Sequence, residues 1–425
     1  MKPFNKIKKC RICNNKNLKK IVDLKKQYIQ GSFIKKNKPT PYKKKIPLAL
    51  LLCQKCSLVQ LSHTTNKDLL YKNYWYESAI NSTMRNHLKD LSKTTRMILN
   101  FGKKDNITVL DIGCNDGTLL SFYPKNFFKY GIDPSQIIKK ITDKKIKKIQ
   151  DFFPPITKTN QLYKIKFNLI TSIAMFYDLD DPNIFVKKIK LLLKEKGIWV
   201  FELSYLVDML KLNSFDTICH EHLEYYSLHS LNFLMNKHNL KIFKVSKNSS
   251  NGGSIRCFVT HKNNNVYNNK GDDKLLNSMM SKERIIKIKN KTVYKNFLKK
   301  IEKIKKHLLK EIFKIKKKDK TVYILGASTK GNTILQYLNI TDKEIPFAIE
   351  RNKEKIGANT IGSNIKIVSE DFAKNNPPDY KLVLPWHFKK EIIKREYNFL
   401  KKGGKLIFPL PSLLVINKNN LKKYV

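Results

Sequence analysis

Seven consecutive residues, His220-Glu221-His222-Leu223-Glu224-Tyr225-Tyr226, carry two imidazoles, two carboxylates and two phenols. Burying that much ionisable chemistry without partners is costly, so a plain core segment rarely looks like this. An imidazole oriented by a neighbouring carboxylate is a proton acceptor poised near neutral pH, which makes the stretch a candidate catalytic segment. A second metal site and a hydrogen-bonded structural turn are the other readings of the same residues.

Two further constellations bind rather than react. Cys10-Arg-Ile-Cys13 and Cys53-Gln-Lys-Cys56 are paired C-x-x-C knuckles. A two-residue gap lets both thiolates of a knuckle reach one tetrahedral zinc ion at about 2.3 Å. Four thiolates close the shell, so the metal is expected to be structural, and the long gap between knuckles leaves room for a small lobe. The other readings are redox pairs or core cysteines. Three more cysteines stand alone, at 114, 219 and 257. An odd total with no signal region after the basic N-terminus argues against a disulfide framework.

The third constellation is Thr108-Val-Leu-Asp111-Ile-Gly113-Cys-Asn115-Asp-Gly117-Thr118, an apolar strand ending in a carboxylate and a glycine-containing turn. Gly113 and Gly117 permit close backbone approach to a ligand. Asp133 follows at the end of the next strand, suited to the hydroxyls of a ribose, and Asp151-Phe152 offers polar and aromatic contact to an adenine ring. A G-x-G-x-x-G fingerprint is missing. An acidic turn suits an ammonium and a sulfonium better than a pyrophosphate, so S-adenosylmethionine is favoured over a nicotinamide cofactor. Asp116 reads equally well as the cap of the following helix.

These groups need a scaffold, and the chain supplies one. Short apolar runs at Ile107–Ile112, Phe128–Ile132, Phe167–Ile173 and Gly197–Leu203 alternate with amphipathic stretches, the pattern of a doubly wound parallel sheet. A second α/β unit follows, with strands at Thr321–Leu325, Phe347–Ile349, Ile365–Val368, Tyr380–Leu384 and Lys405–Phe408. Its turn Gly326-Ala-Ser328-Thr-Lys330-Gly331-Asn332 puts Ser328, Lys330 and Asn332 at a helix start, a natural anion site. The expected fold class is α/β, with a zinc-binding lobe over residues 1–75, a Rossmann-like domain over 76–270, a solvated helical connector over 271–318 and a second Rossmann-like domain over 319–425.

The formal charge of +51 invites a nucleic-acid reading. Only seven of the 85 basic residues are Arg, however, and the lysines are spread along the whole chain among Asn and Ile. Groove readers favour Arg for its bidentate fork, so nucleic-acid binding is the lesser reading; acidic small molecules remain attractive partners. No apolar run is long enough to span a bilayer. The expected protein is cytoplasmic, away from membranes, and a monomer or dimer.

Taken together, the motifs resemble the sugar C-methyltransferases that act on nucleotide-linked keto-deoxyhexoses. The resemblance runs through Cys53-Gln-Lys-Cys56-Ser-Leu-Val-Gln-Leu61, Tyr74-Trp-Tyr76-Glu-Ser-Ala-Ile-Asn-Ser-Thr-Met84, Asp111–Leu120 and His220-Glu-His222. It continues in Asn251-Gly-Gly-Ser-Ile-Arg256, Gly326–Thr333 and Leu384-Pro-Trp-His-Phe388. It implies that His222, helped by Glu221 and flanked by His220, takes a proton from the carbon beside a sugar carbonyl. Tyr76 and Tyr226 would stabilise the enolate oxygen or position the sugar. Gly252–Arg256 would contact sugar or phosphate, a plain hairpin turn being the other reading, and Ser328, Lys330 and Asn332 would take the nucleotide diphosphate. Two departures stand out: Cys219 where relatives often carry Tyr, and Met175-Phe176-Tyr177 where they often carry His. Methyl transfer to oxygen or nitrogen of another small metabolite is the competing reading.

Overall fold

The computed structural model describes residues 2–71, 82–100, 106–155, 161–267 and 270–424. Tyr76 lies outside them. No described helix is long and apolar enough to cross a membrane.

The middle sheet runs, edge to edge, Leu240–Asn248, Ser254–His261, Leu193–Ser204, Phe167–Ile173, Thr108–Ile112, Phe128–Ile132 and Ile146–Ile149. The last five strands are parallel, and the first two close one edge antiparallel. Val109, Leu110, Leu169, Ile170, Val200 and Phe201 are all fully enclosed, as strands covered on both faces require. Asp111 sits on the carboxyl-terminal side of its strand, next to the point where the chain leaves the sheet for the Gly113 turn.

The N-terminal lobe is not an appendage. Its antiparallel sheet of Leu18–Gln27, Ile46–Cys53 and Val59–Leu61 takes Glu224–Tyr225 as a further strand. A second piece of the lobe, Phe33–Ile34, pairs with Asn359–Thr360 at the edge of the C-terminal sheet. That sheet has a parallel centre, Val322–Leu325 between Phe347–Ile349 and Tyr380–Val383. The lobe therefore shares backbone ladders with both other parts.

The stretch expected as a solvated connector is instead two helices with different allegiances. Lys270–Ile286 belongs to the middle domain: Glu283 is buried and accepts from the Tyr205 hydroxyl at 2.6 Å and from the Leu228 and His229 amides. Lys291–Lys316 buries Tyr294, Phe297, Ile301, Ile304, Leu308, Ile312 and Ile315 in a core that the C-terminal domain shares with the N-terminal lobe. Its lysines coat the opposite face, which is why its composition alone looks solvated. Ile301→Ala should therefore cost about 3 kcal/mol of stability. Phe313→Ala, on the exposed side at 59% exposure, should change stability by less than about 0.5 kcal/mol. Urea unfolding of both variants checks the pair; equal effects would restore the connector.

Candidate functional site

A cleft of about 590 Å³ opens where the middle sheet, the Ser82–Leu99 helix and the N-terminal lobe meet. Asp111, Gly113, Asn115, Asp133, Asp151 and Phe152 line it, together with Thr64, Lys67, Met175 and Leu223. Asp111 is buried and accepts from the Thr171 hydroxyl at 2.6 Å. Burial pushes its carboxyl up to about 7 against that hydrogen bond, and the charges of Asp133 and Asp116 push the same way. Asp133 takes the Asn115 amide on one oxygen at 2.9 Å and the Ser135 amide and hydroxyl on the other. Two carboxylates facing one cleft make it a site for a positively charged ligand. The size lies within the usual range of small-molecule pockets.

Gly113 adopts φ +73°, and a Cβ there would meet the Met175 side chain at 3.0 Å, so both backbone and space select glycine. Gly117 does not line the cleft; it turns the chain into the Thr118–Ser121 helix, and Ile141 fills the space beside it. Asp116 accepts from the Thr118 amide and hydroxyl just before that helix, whose N-cap residue is Gly117. Lys67 of the N-terminal lobe stands 4.0 Å over the Phe152 ring, closing the cleft from above.

The His220–Tyr226 segment runs beside this cleft, and its residues divide sharply. His222 is half-buried, with Nδ1 2.8 Å from the Thr217 carbonyl. That carbonyl can only accept, so Nδ1 carries the proton and the Nε2 lone pair is left available. The ring packs edge-on against Tyr177 at 4.4 Å, and Tyr177 sits between Met175 and Asp178, both of which line the cleft. The imidazole thus stands on the same carboxyl edge of the sheet as Asp111 and Asp133. Burial, followed by the Lys330 charge, pushes its pKa down to about 3, so it stays neutral at physiological pH.

Three neighbours expected to share its chemistry do other work. His220 is enclosed, with Nδ1 2.8 Å from Gln30 Oε1 and Nε2 3.3 Å from the Ile46 carbonyl; it joins the segment to the lobe. Tyr226 is fully buried and stacks on Phe176 at 5.4 Å, with no path to a substrate. Glu221 turns away from His222, toward Gly31: a Cβ on Gly31 would come within 2.1 Å of Glu221 Oε1. Burial pushes its carboxyl up to about 7, with Lys355 acting the other way. The group that orients His222 is therefore the Thr217 carbonyl and not Glu221.

The expected substrate contacts also separate. Arg256 is committed to Glu202 at 2.9 Å in a buried pair that His87 completes at 2.7 Å from the other carboxylate oxygen. Burial alone would push Glu202 up; His87 and Arg256 together hold it below its usual value. Ser328 accepts from the Gly331 amide as the cap of its own helix, and Asn332 donates to the Gln30 carbonyl at 2.7 Å. Of the three, Lys330 alone acts on the segment that carries His222.

The sequence reading gave no role to Tyr177, which backs His222, or to Asp216, Trp386 and His387, which stand around Lys330. The stretch Leu384–Phe388 was visible as a motif, but its reach across to Asp216 is a tertiary fact.

Cys10, Cys13, Cys53 and Cys56 bring their sulfurs within 4.8 Å of one another. The Cys10–Cys56 and Cys13–Cys53 separations are 3.5 and 3.4 Å. Those are far beyond a disulfide bond of about 2.05 Å and suit edges of a thiolate tetrahedron around zinc. The crowding makes the thiols compete for ionisation: Cys53 is held down by its neighbours, while hydrogen bonding to Cys53 and burial push Cys10 up to about 12. A divalent cation removes that conflict. Between the first two sulfurs, Arg11 donates to the Leu61 carbonyl and the Thr64 hydroxyl, both at 2.9 Å, and lies 3.7 Å from the buried Glu224 carboxylate.

Residues 10–71 match a family model described as "Putative zinc binding domain", residues 81–245 one described as "Methyltransferase domain", and residues 249–411 one described as "C-methyltransferase C-terminal domain". The C-methyltransferase NovU from Streptomyces niveus is 27% identical over 417 residues, covering 97% of each chain. Among solved structures, an S-adenosylmethionine-dependent methyltransferase from Clostridium acetobutylicum has 14% identity and a TM-score of 0.33, over 42% of this chain and 92% of that one. The plantazolicin methyltransferase BpumL in complex with SAH has 12% identity and a TM-score of 0.33, over 42% and 86%.

Native mass spectrometry of the full chain should show about one zinc per molecule. Cys56→Ser should lose most of it and Cys219→Ser none; zinc retained in the first variant would remove the four-cysteine shell.

Proposed function

We propose that this chain, an S-adenosylmethionine-dependent enzyme of the C-methyltransferase family whose three domains it carries in order, methylates the carbon beside the carbonyl of a nucleotide-linked keto-deoxy sugar. The observation that carries the reading is the state of His222: a neutral imidazole, proton fixed on Nδ1 by Thr217, Nε2 available, on the same sheet edge as Asp111 and Asp133. Transfer to carbon needs a base for a C–H proton, and the Nε2 lone pair of His222 is the group offered for it.

When bound, the donor supplies an electrophilic methyl group on a sulfonium. Asp111 and Asp133 would hold its ammonium and ribose, Gly113 and Asn115 its backbone-facing side, and Asp151 and Phe152 its adenine. The zinc lobe closes the cleft through Lys67 and Thr64. The sugar then lies between cleft and C-terminal domain, where His222 Nε2 takes the proton from the carbon next to the carbonyl, and that carbon attacks the methyl. The nucleotide diphosphate is an acidic partner that suits the large positive charge of the chain.

His222→Asn should lower kcat by about a hundredfold or more with donor affinity nearly unchanged, and carbon-13 methyl label should appear bonded to carbon. A loss of only a few fold, or label on oxygen or nitrogen, ends the base assignment.

The donor site has its own test. Burial pushes the carboxyl of Asp111 up to about 7, and a bound ammonium favours its ionised form. Ligand binding below that pH must therefore expel a proton, so affinity rises with pH up to about 7.5 and is flat above. Calorimetry with S-adenosylhomocysteine should show this slope, and Asp111→Asn should abolish it; an unaltered slope in the variant contradicts the assignment.

A further inference from the structure

The first cysteine knuckle grips the middle domain through the two residues between its sulfurs. The Arg11 carbonyl accepts from Asn183 Nδ2 and the Ile12 carbonyl from Lys237 Nζ, both at 2.7 Å. Lys237 Nζ also reaches Asn183 Oδ1 at 2.8 Å, which ties the two grips together. Asn183 lies in the first turn of the Pro182–Leu192 helix, between Asp181 and Ile184, and both of these line the cleft. The Arg11 side chain takes a second route to the same wall. Its Nη2 donates to Thr64 Oγ1 at 2.9 Å, and that hydroxyl donates in turn to Asp180 Oδ1 at 2.8 Å. Thr64 and Asp180 both line the cleft, one from the lobe and one from the middle domain, whereas Arg11 does not line it. The rest of the lobe's wall stands next to Thr64: Asn5 pairs with it across two short strands, and Lys67 follows three residues on.

We propose that the methyl donor and the zinc ion bind cooperatively, with Arg11 and Thr64 as the positioning residues that couple the cysteine knuckle to the donor cleft. This rests on the reading of the cleft as the donor site given above.

A pocket with walls on two bodies is complete only while those bodies are held in register. The sheet wall, with Asp111 and Asp133, is fixed by parallel ladders between buried strands. The lobe wall is a three-residue strand pair, Phe4–Lys6 with His63–Thr65, and Arg11 fastens it to the middle domain. Four sulfurs drawn into one tetrahedron fix the turn that carries Arg11 and Ile12, and metal binding of this kind is also folding energy. Arg11 has little freedom to settle elsewhere, because it lies 3.7 Å from the buried Glu224 carboxylate and 3.8 Å from Asp180. Moving it would leave the Glu224 charge buried without its cation. A donor that spans sheet and lobe holds the same two bodies together from the cleft side. Each ligand thus favours the arrangement that the other needs, and linkage makes the effect equal in both directions.

Calorimetry with S-adenosylhomocysteine on the full chain, zinc-loaded and metal-stripped, measures one direction. Stripping should weaken binding about tenfold, inside the usual range of coupling between two sites. In the other direction, saturating S-adenosylhomocysteine should raise by the same factor the chelator concentration that removes half of the zinc. Two variants need no metal-free protein, since Arg11→Lys and Thr64→Val leave all four cysteines in place. Each should keep its zinc and bind S-adenosylhomocysteine about fivefold more weakly, the scale of one lost hydrogen bond. The double variant should be no weaker than either single one, because both break the same path. The Arg11 variant is the sharper of the two, as that side chain lies off the cleft wall and its loss removes no donor contact. Wild-type affinity in zinc-loaded Arg11→Lys overturns the proposal, as does equal affinity in loaded and stripped protein that circular dichroism shows to be folded; the donor site survives either result. Zinc-loaded wild-type protein that binds no S-adenosylhomocysteine overturns the donor reading, and this inference falls with it.

Discussion

Two backbone pairs, Glu224 with Gln60 and Tyr225 with Val59, decide where His222 stands. They attach the end of the candidate catalytic segment to the sheet of the zinc lobe, and the Leu61 amide extends the ladder to the Leu223 carbonyl at 2.9 Å. From the other side the Tyr177 carbonyl accepts from the Leu223 and Glu224 amides at 2.8 and 3.0 Å. The segment is thus clamped between the lobe and the loop that follows the Phe167–Ile173 strand. A slip of one residue would turn the paired side chains to the opposite face. Arg11 reinforces the clamp: it belongs to the first cysteine knuckle and reaches Glu224 on the added strand. The metal lobe, although far from the reacting atoms in sequence, is the platform on which the base is set.

A second theme is that burial, more than ion pairing, sets protonation around the site. Asp111 and Glu221 are pushed up to about 7, and His220 and His222 down to about 4 and 3, each chiefly by loss of water. The four groups nonetheless differ in use. His220 is fastened to Gln30 and the Ile46 backbone, and Glu221 faces Gly31 and Lys355, whereas Asp111 lines the cleft and His222 packs on Tyr177 with its Nε2 uncommitted. Residue type marked the neighbourhood; accessibility separates the scaffold from the chemistry.

Much of this was legible in the chain. The strands Phe128–Ile132, Phe167–Ile173, Phe347–Ile349 and Lys405–Phe408 were read to the residue, because buried apolar runs bounded by turn residues are local signals. The paired cysteines and the Asp111 and Asp133 carboxylates needed only spacing. What was not legible depends on tertiary contact. Helix Lys291–Lys316 looks solvated because lysines cover one face, and only the fold shows its other face as core. Arg256 looked like an anion hook until Glu202, 54 positions away, was seen to hold it. Tyr226 looked catalytic as a phenol in the segment, but a two-residue strand turns it onto Phe176. The reach of Trp386 across to Asp216, 170 positions away, has no local trace at all.

If the lobe truly sets the base, removing its metal must loosen the segment it carries. Hydrogen exchange on zinc-loaded and metal-stripped protein measures this directly. Loss of zinc should expose the amides of Leu223, Glu224 and Tyr225 to exchange, while those of Thr108–Ile112 and Val322–Leu325 stay protected. Unchanged protection of Leu223–Tyr225 in protein shown to be free of zinc would contradict the account.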